Sequence, residues 1–191
     1  MGYLRGFIPW IISGIATSFD WRWGAAGGLT SGLLLTLQDW RRRVRLDALV
    51  LEISSIVYFA VVGALAVTRP DSVISAHTDV LSFVWLAATA WGSLALHRPF
   101  TLGIAKRQTP REYWKMPQFI QVNNYITSAW ASGFTFIAFS LVLCHALNAA
   151  SWVGISAHVA GLAIPVVFTK VYPARAQARM QTQAPSPVVS P

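Results

Sequence analysis

The residues equipped for chemistry are polar side chains set inside apolar runs. Glu52 stands in "LDALVLEISSIVYF" (46–59), and Asn123 and Asn124 open "VNNYITSAWASGF" (122–134). Gln38 and Asp39 close "LLLTLQD", and Arg98 ends another run at "ALHRPF". Ionisable and amide groups are costly in an apolar interior, so they are the default candidates for function. Glu52, Ser55 and Phe59 share one helix face, as do Asn123, Thr127 and Trp130. Brought together, the two faces would form a pocket with a polar mouth and an aromatic floor. Glu52 would be its proton donor, oriented by Asn123 or Asn124. Gln38 and Arg98 belong to the same cytoplasmic-side set. The structural use of Glu52 stands beside this one: paired with Arg98 or a loop arginine, it would hold helices together.

Aromatic residues enter the same pair of readings. The chain has nine Trp, ten Phe and five Tyr. Trp10, Trp21, Trp23, Trp40, Trp114 and Trp152 lie near the ends of apolar runs and fit an interfacial belt. Trp85, Trp91 and Trp130 fall further inside. They either pack and meet lipid, or they wall a cavity for an isoprenoid or acyl ligand, where ring faces can stabilise a cation. On the opposite side, Asp20, Arg22, Asp71, His77, Asp79, His145, Asn148 and His158 sit mostly at run ends. The histidines lack HxH or HxxxH spacing, so neither a metal site nor a cofactor is expected. Motifs for phosphate cradling, zinc hydrolysis, dithiol redox and serine hydrolysis are absent, and the lone Cys144 allows no internal disulfide.

The elements that must carry these residues follow from hydropathy. Of the 191 residues, 54% are hydrophobic and 12% charged, against about 25% charged in a soluble domain. The pattern predicts an all-α polytopic membrane protein, a compact bundle of about six transmembrane helices: Leu4–Phe19, Trp23–Leu37, Ala48–Thr68, Val80–Leu96, Phe119–Ala146 and Trp152–Lys170. The first run resembles a signal peptide, but Asp20 and "DWRW" replace a small-residue cleavage site, so a retained span is expected. "GAAGGLTSG" in the second run offers small residues for close helix approach. Of the 15 basic residues all but Arg22 and Arg69 then fall on one face. The positive-inside rule makes that face, and both termini, cytoplasmic. The net charge of +8 is thus explained by topology rather than by nucleic acid.

One transmembrane domain, 1–172, includes a cytoplasmic loop at 97–118, and a disordered tail is expected over 173–191. In the loop, Phe100, Leu102, Ile104, Tyr113, Trp114 and Met116 are expected at the interface, with the cations facing anionic lipid headgroups. A short helix is expected between Pro110 and Pro117, capped by Thr109.

"HRPFTLGIAKRQTPREYWKMPQFIQVNNYITSAWASGFTF" (97–136) resembles the central signature of the bacterial septation protein A (intracellular septation protein) family. The matching positions are Arg98-Pro99, Pro110, Trp114, Asn123 or Asn124, Ala129-Trp130 and Phe134; "FIPWIISGIA" (7–16) resembles the family's start. As a remote relative, the chain would be a small bacterial inner-membrane protein of the cell envelope. It would act through lipid or membrane-protein partners. The alternative is a membrane-embedded enzyme resembling terpene cyclases in size and composition, with Glu52 as general acid on a prenyl or lipid substrate. An exporter is a third possibility, but Pro9 and Pro165 are not equivalent breaks in two halves.

Overall fold

The computed structural model describes residues 5–44, 48–107 and 109–183, with side chains described as far as Arg175. The described residues form helices and no strand: α1 (Ile8–Thr17), α2 (Trp21–Arg41), α3 (Val50–Thr68), α4 (Thr78–Ala95), α5 (Phe100–Lys106), α6 (Pro117–Leu147) and α7 (Ser151–Gln183). Single 3-10 turns at Val73–His77 and Arg111–Lys115 precede α4 and α6. Local chemistry sets several boundaries. Pro9 occupies the first turn of α1, where its missing N–H costs nothing. Asp20 caps α2 by accepting from the Arg22 N–H at 2.8 Å. Asn148 ends α6 in the left-handed conformation, which a short polar residue tolerates.

Four helices are long and apolar enough to cross a membrane: α3, α4 with its leading 3-10 turn, α6, and α7 as far as Arg175. The remaining two expected spans are of another kind. α1 has only ten residues, about 15 Å of helix. α2 is 21 residues long, but Gly24, Gly27, Gly28, Gly32, Thr30, Ser31 and Thr36 dilute its apolar content.

In the bundle, α2 packs between α1 and α3, and α6 packs between α4 and α7, with α5 along α6. The two halves meet at aromatic side chains. Phe7 stacks on Trp130 with centroids 4.8 Å apart, and Tyr58 of α3 lies 5.7 Å from Trp85 of α4. Glycines allow the closest helix contacts. Gly24, Gly28 and Gly32 form a buried stripe on α2, and a Cβ at Gly28 would lie 2.6 Å from the Phe59 ring. At the α6–α7 crossing, the Gly161 carbonyl lies against Gly133. Pro165 lies inside α7 and lacks the N–H that would bond that carbonyl four residues back.

The structure departs from sequence expectation in the 97–118 loop and in the tail. Phe100 and Ile104 are each 3% exposed and belong to the core, not the interface: their i, i+4 spacing gives α5 an apolar face that docks against α6. Tyr113 and Met116 do lie exposed. The short helix between the prolines is the 3-10 turn Arg111–Lys115, without a side-chain cap; the Thr109 carbonyl, not its hydroxyl, is engaged, by the Trp114 indole at 2.9 Å. In the tail, α7 runs on to Gln183 through Pro173, so helix replaces the expected disorder over 173–183. Residues 184–191 lie outside the described residues.

Gly133→Ala should destabilise the protein by about 1–3 kcal/mol through overpacking, whereas Gly63→Ala, with nothing within 4 Å of its added Cβ, should be neutral or stabilising. Thermal unfolding of the two variants in one detergent checks this; equal midpoints would contradict the crossing.

Candidate functional site

The sequence-selected carboxylates converge at one end of the bundle. Asp39 comes from the last turns of α2 and Glu52 from the first turn of α3, each 2% exposed. Arg107, which caps α5, places its guanidinium between them. Its Nη1 donates to Asp39 Oδ2 at 3.2 Å, and its Nη2 donates to Glu52 Oε1 at 3.2 Å and to the Ala48 carbonyl at 2.6 Å. Arg5, just before α1, reaches Asp39 Oδ1 at 3.3 Å and donates to Gln38 Oε1 at 3.0 Å. Two cations and two anions therefore tie α1, α2, α3 and α5 together with no net charge. The planar fork of arginine suits this task, since it can engage two carboxylates and a carbonyl at once. Glu52 Oε2, Arg107 Nε and Arg5 Nε are buried without a hydrogen-bond partner among the described residues.

Beside this cluster runs a second polar set. Thr101 of α5 donates to the Asn123 carbonyl at 3.0 Å and shares a 2.7 Å hydrogen bond with Thr127. The Asn123 amide donates to the Phe119 carbonyl at 2.8 Å, and its Oδ1 is buried without a partner among the described residues. The Ser93 hydroxyl accepts from the Phe100 N–H at 3.2 Å, satisfying the first turn of α5. Both predicted faces, Glu52–Ser55–Phe59 and Asn123–Thr127–Trp130, are buried throughout.

The other sequence-selected residues are distributed as follows. Arg98 is exposed at the end of α4, and Arg107 occupies the place beside Glu52. Asn124 is exposed, while Asn123 faces inward. Gln38 is exposed at the rim and joins the cluster through Arg5. Trp130 is 4% exposed; its indole donates to the Thr169 hydroxyl at 3.0 Å and its face stacks on Phe7. Trp85 donates to the Ser54 hydroxyl at 2.8 Å and lies 5.7 Å from the Tyr58 ring. Trp91 is 46% exposed and donates to the Thr135 hydroxyl at 3.1 Å. Arg107, Arg5 and Thr101 did not emerge as individual candidates from the sequence. The signal for Arg107 was its place one turn beyond Phe100 and Ile104, at the end of an apolar helical face.

At the opposite end, His145 Nε2 lies 3.3 Å from Asp79 Oδ2, and the His77 and His145 rings are 5.2 Å apart. His158 bonds the Gly154 carbonyl at 2.8 Å and faces the Phe83 ring. No group of three or more His, Cys, Asp or Glu residues among the described residues is placed to hold a metal ion. Compared with family models, with curated proteins and with solved structures, the chain matches none.

Removing one partner of a buried ion pair leaves the other charge uncompensated, at a cost of about 3–5 kcal/mol. Arg107→Leu should therefore lower unfolding stability in detergent by about that amount, and adding Glu52→Gln should restore part of it. A double variant no more stable than Arg107→Leu alone would show that the two groups do not share an interior environment.

Proposed function

We propose that the chain is a six-span protein of the bacterial inner membrane with both termini in the cytoplasm, and that it serves the cell envelope, in the manner of septation proteins, through contacts with lipid and with other membrane proteins. The observation that carries this reading is how the interior polar groups are used. Asp39 and Glu52 are engaged by Arg107 and Arg5, and the indoles of Trp10, Trp85 and Trp130 are engaged by hydroxyls. These groups bind the protein to itself. The parts that face outward are instead apolar flanks and a basic, aromatic cytoplasmic segment.

Two arguments support six spans. The first is parity: counting α1 and α2 as a crossing pair keeps the number of spans even, so Arg5, Arg41, Arg42, Arg43, Arg98, Lys106, Arg107, Arg111 and Lys115 stay on one side, as the positive-inside rule requires and as four spans would also allow. The pair is also a continuous hairpin: Arg5 meets Asp39, and Pro9 lies near Gly32, Ile12 near Gly27 and Thr17 near Gly24. Around Trp114 of the Arg111–Lys115 turn, Arg111 and Lys106 of α5 each lie 5.7 Å from the ring centre. With Tyr113 and Met116 exposed, this segment suits anionic headgroups at the interface.

The enzyme reading, in which Glu52 protonates a prenyl or lipid substrate, draws on the unpartnered Glu52 Oε2. It competes with the Arg107 contact at Oε1 and with the filling of the Trp130 face by Phe7. Deleting the gene in its source bacterium and scoring cell length and envelope leakage separates the two. A stably inserted Glu52→Gln protein should rescue fully, and a combined Trp114→Ala, Arg111→Ala, Lys115→Ala protein should not. Failure of Glu52→Gln with rescue by the loop variant would reverse the assignment. Reporter fusions at the two termini should both read as cytoplasmic.

A further inference from the structure

Along the C-terminal half of its apolar part, α7 carries a shallow, open groove of about 480 Å³, lined by this one helix. Ile164, Val167, Phe168, Val171 and Tyr172 line it, and Arg175 stands at its end. The lining is open to the surroundings: Ile164 is 67% and Val167 57% exposed. One wall is rigid, because Phe168 and Tyr172 stack at 4.7 Å and Tyr125 of α6 braces Tyr172 edge-on at 5.7 Å. From Ile164 to Arg175 the helix rises about 17 Å, close to half of the roughly 30 Å hydrocarbon core. Arg175 is exposed and makes no hydrogen bond or ion pair with any other described residue.

A groove of one leaflet's depth, apolar along its length and cationic at its polar end, matches a single lipid in both shape and charge. The apolar lining takes an acyl chain. The guanidinium selects among headgroups, since it forms charge-assisted hydrogen bonds to a phosphate and gains further from a net negative lipid. We propose that this groove is a binding site for one anionic phospholipid of the cytoplasmic leaflet, with its chain along Ile164, Val167 and Phe168 and its phosphate on Arg175 beside the Tyr172 hydroxyl. The site is separate from the headgroup contacts of the Arg111–Lys115 turn, and it rests on the reading that α7 spans the membrane with its C-terminal end in the cytoplasm.

The test is native mass spectrometry of the full chain released from nanodiscs holding equal parts phosphatidylglycerol and phosphatidylcholine. One phosphatidylglycerol should be retained per chain in preference to phosphatidylcholine. Arg175→Ala should lower that retention at least about tenfold, the scale of one lost hydrogen bond to a charged group. Val167→Trp, which fills the groove and keeps the cation, should displace the lipid as well, whereas Arg111→Ala with Lys115→Ala should leave it in place. Equal retention of the two lipids, wild-type retention by both groove variants, or a lipid-free dimer broken by Val167→Trp would overturn the proposal. If the terminal reporters place the C-terminus outside, the six-span reading falls first. If they place it in the cytoplasm and no phosphatidylglycerol is retained, the groove proposal alone falls.

Discussion

A carboxylate placed inside an apolar bundle has to be met by a cation, and that requirement organises one whole end of this molecule. Asp39 and Glu52 are both buried, and an isolated buried charge is too costly to keep. Arg107 meets both. To bring it there, the segment after α4 must fold back instead of extending away from the bundle. α5 provides the fold: its face of Phe100 and Ile104 joins the central core, and its end delivers the guanidinium between α2 and α3. Arg5 plays the corresponding part for α1. The electrostatic and hydrophobic demands are thus met by the same short helices, and neither could be satisfied alone.

The same rule, applied to neutral groups, accounts for the inward-facing tryptophans. An indole contributes a large apolar surface and one N–H that needs an acceptor when water is absent. Trp10 donates to Ser55 at 2.7 Å, Trp85 to Ser54 and Trp130 to Thr169. Ser54 also shares a 2.6 Å hydrogen bond with Thr89, and Tyr58 one of 2.9 Å with Ser82. These pairs cross from α3 to α4, from α1 to α3 and from α6 to α7. Each is worth only about 1 kcal/mol in an apolar surrounding, but their directionality fixes which rotations of the helices are allowed. The aromatic side chains therefore act as cross-links between helices.

Periodicity made much of this legible. The inward faces at Glu52, Ser55 and Phe59 and at Asn123, Thr127 and Trp130 follow from helix geometry alone, and all six residues are buried. The small-residue stretch of α2 packs closely, as Gly28 against Phe59 illustrates. The choice between the two asparagines, open in the sequence, is made by burial: Asn123 is in phase with Thr127 and faces inward, while Asn124 is exposed. That a loop arginine could meet Glu52 was legible; which arginine was not. Arg107 lies 55 residues along the chain, and nothing local distinguishes it from Arg98. What distinguishes it is the docking of α5, a tertiary event signalled only by the spacing of Phe100 and Ile104. The extension of α7 beyond residue 172 is likewise not signalled by the composition of the tail, because a helix already formed propagates at little cost per residue.

The proposed α1–α2 crossing pair shows why hydropathy and packing pull in opposite directions. A helix that meets lipid all round must be apolar all round. A helix covered on one side need be apolar only on the other, and its covered side is best made of glycine so that neighbours can approach. α2 has this division: Gly24, Gly28 and Gly32 are buried, while Leu33, Leu34 and Leu37 are exposed. α1 repeats it in a shorter form, with Pro9 turned inward and Ile11 and Ile15 outward. The glycines that lower the mean hydropathy of α2 are the residues that let α1 and α3 cover it. A weak span signal at this position is therefore what a tightly packed hairpin should produce, and the ion pair from Arg5 to Asp39 closes its polar end.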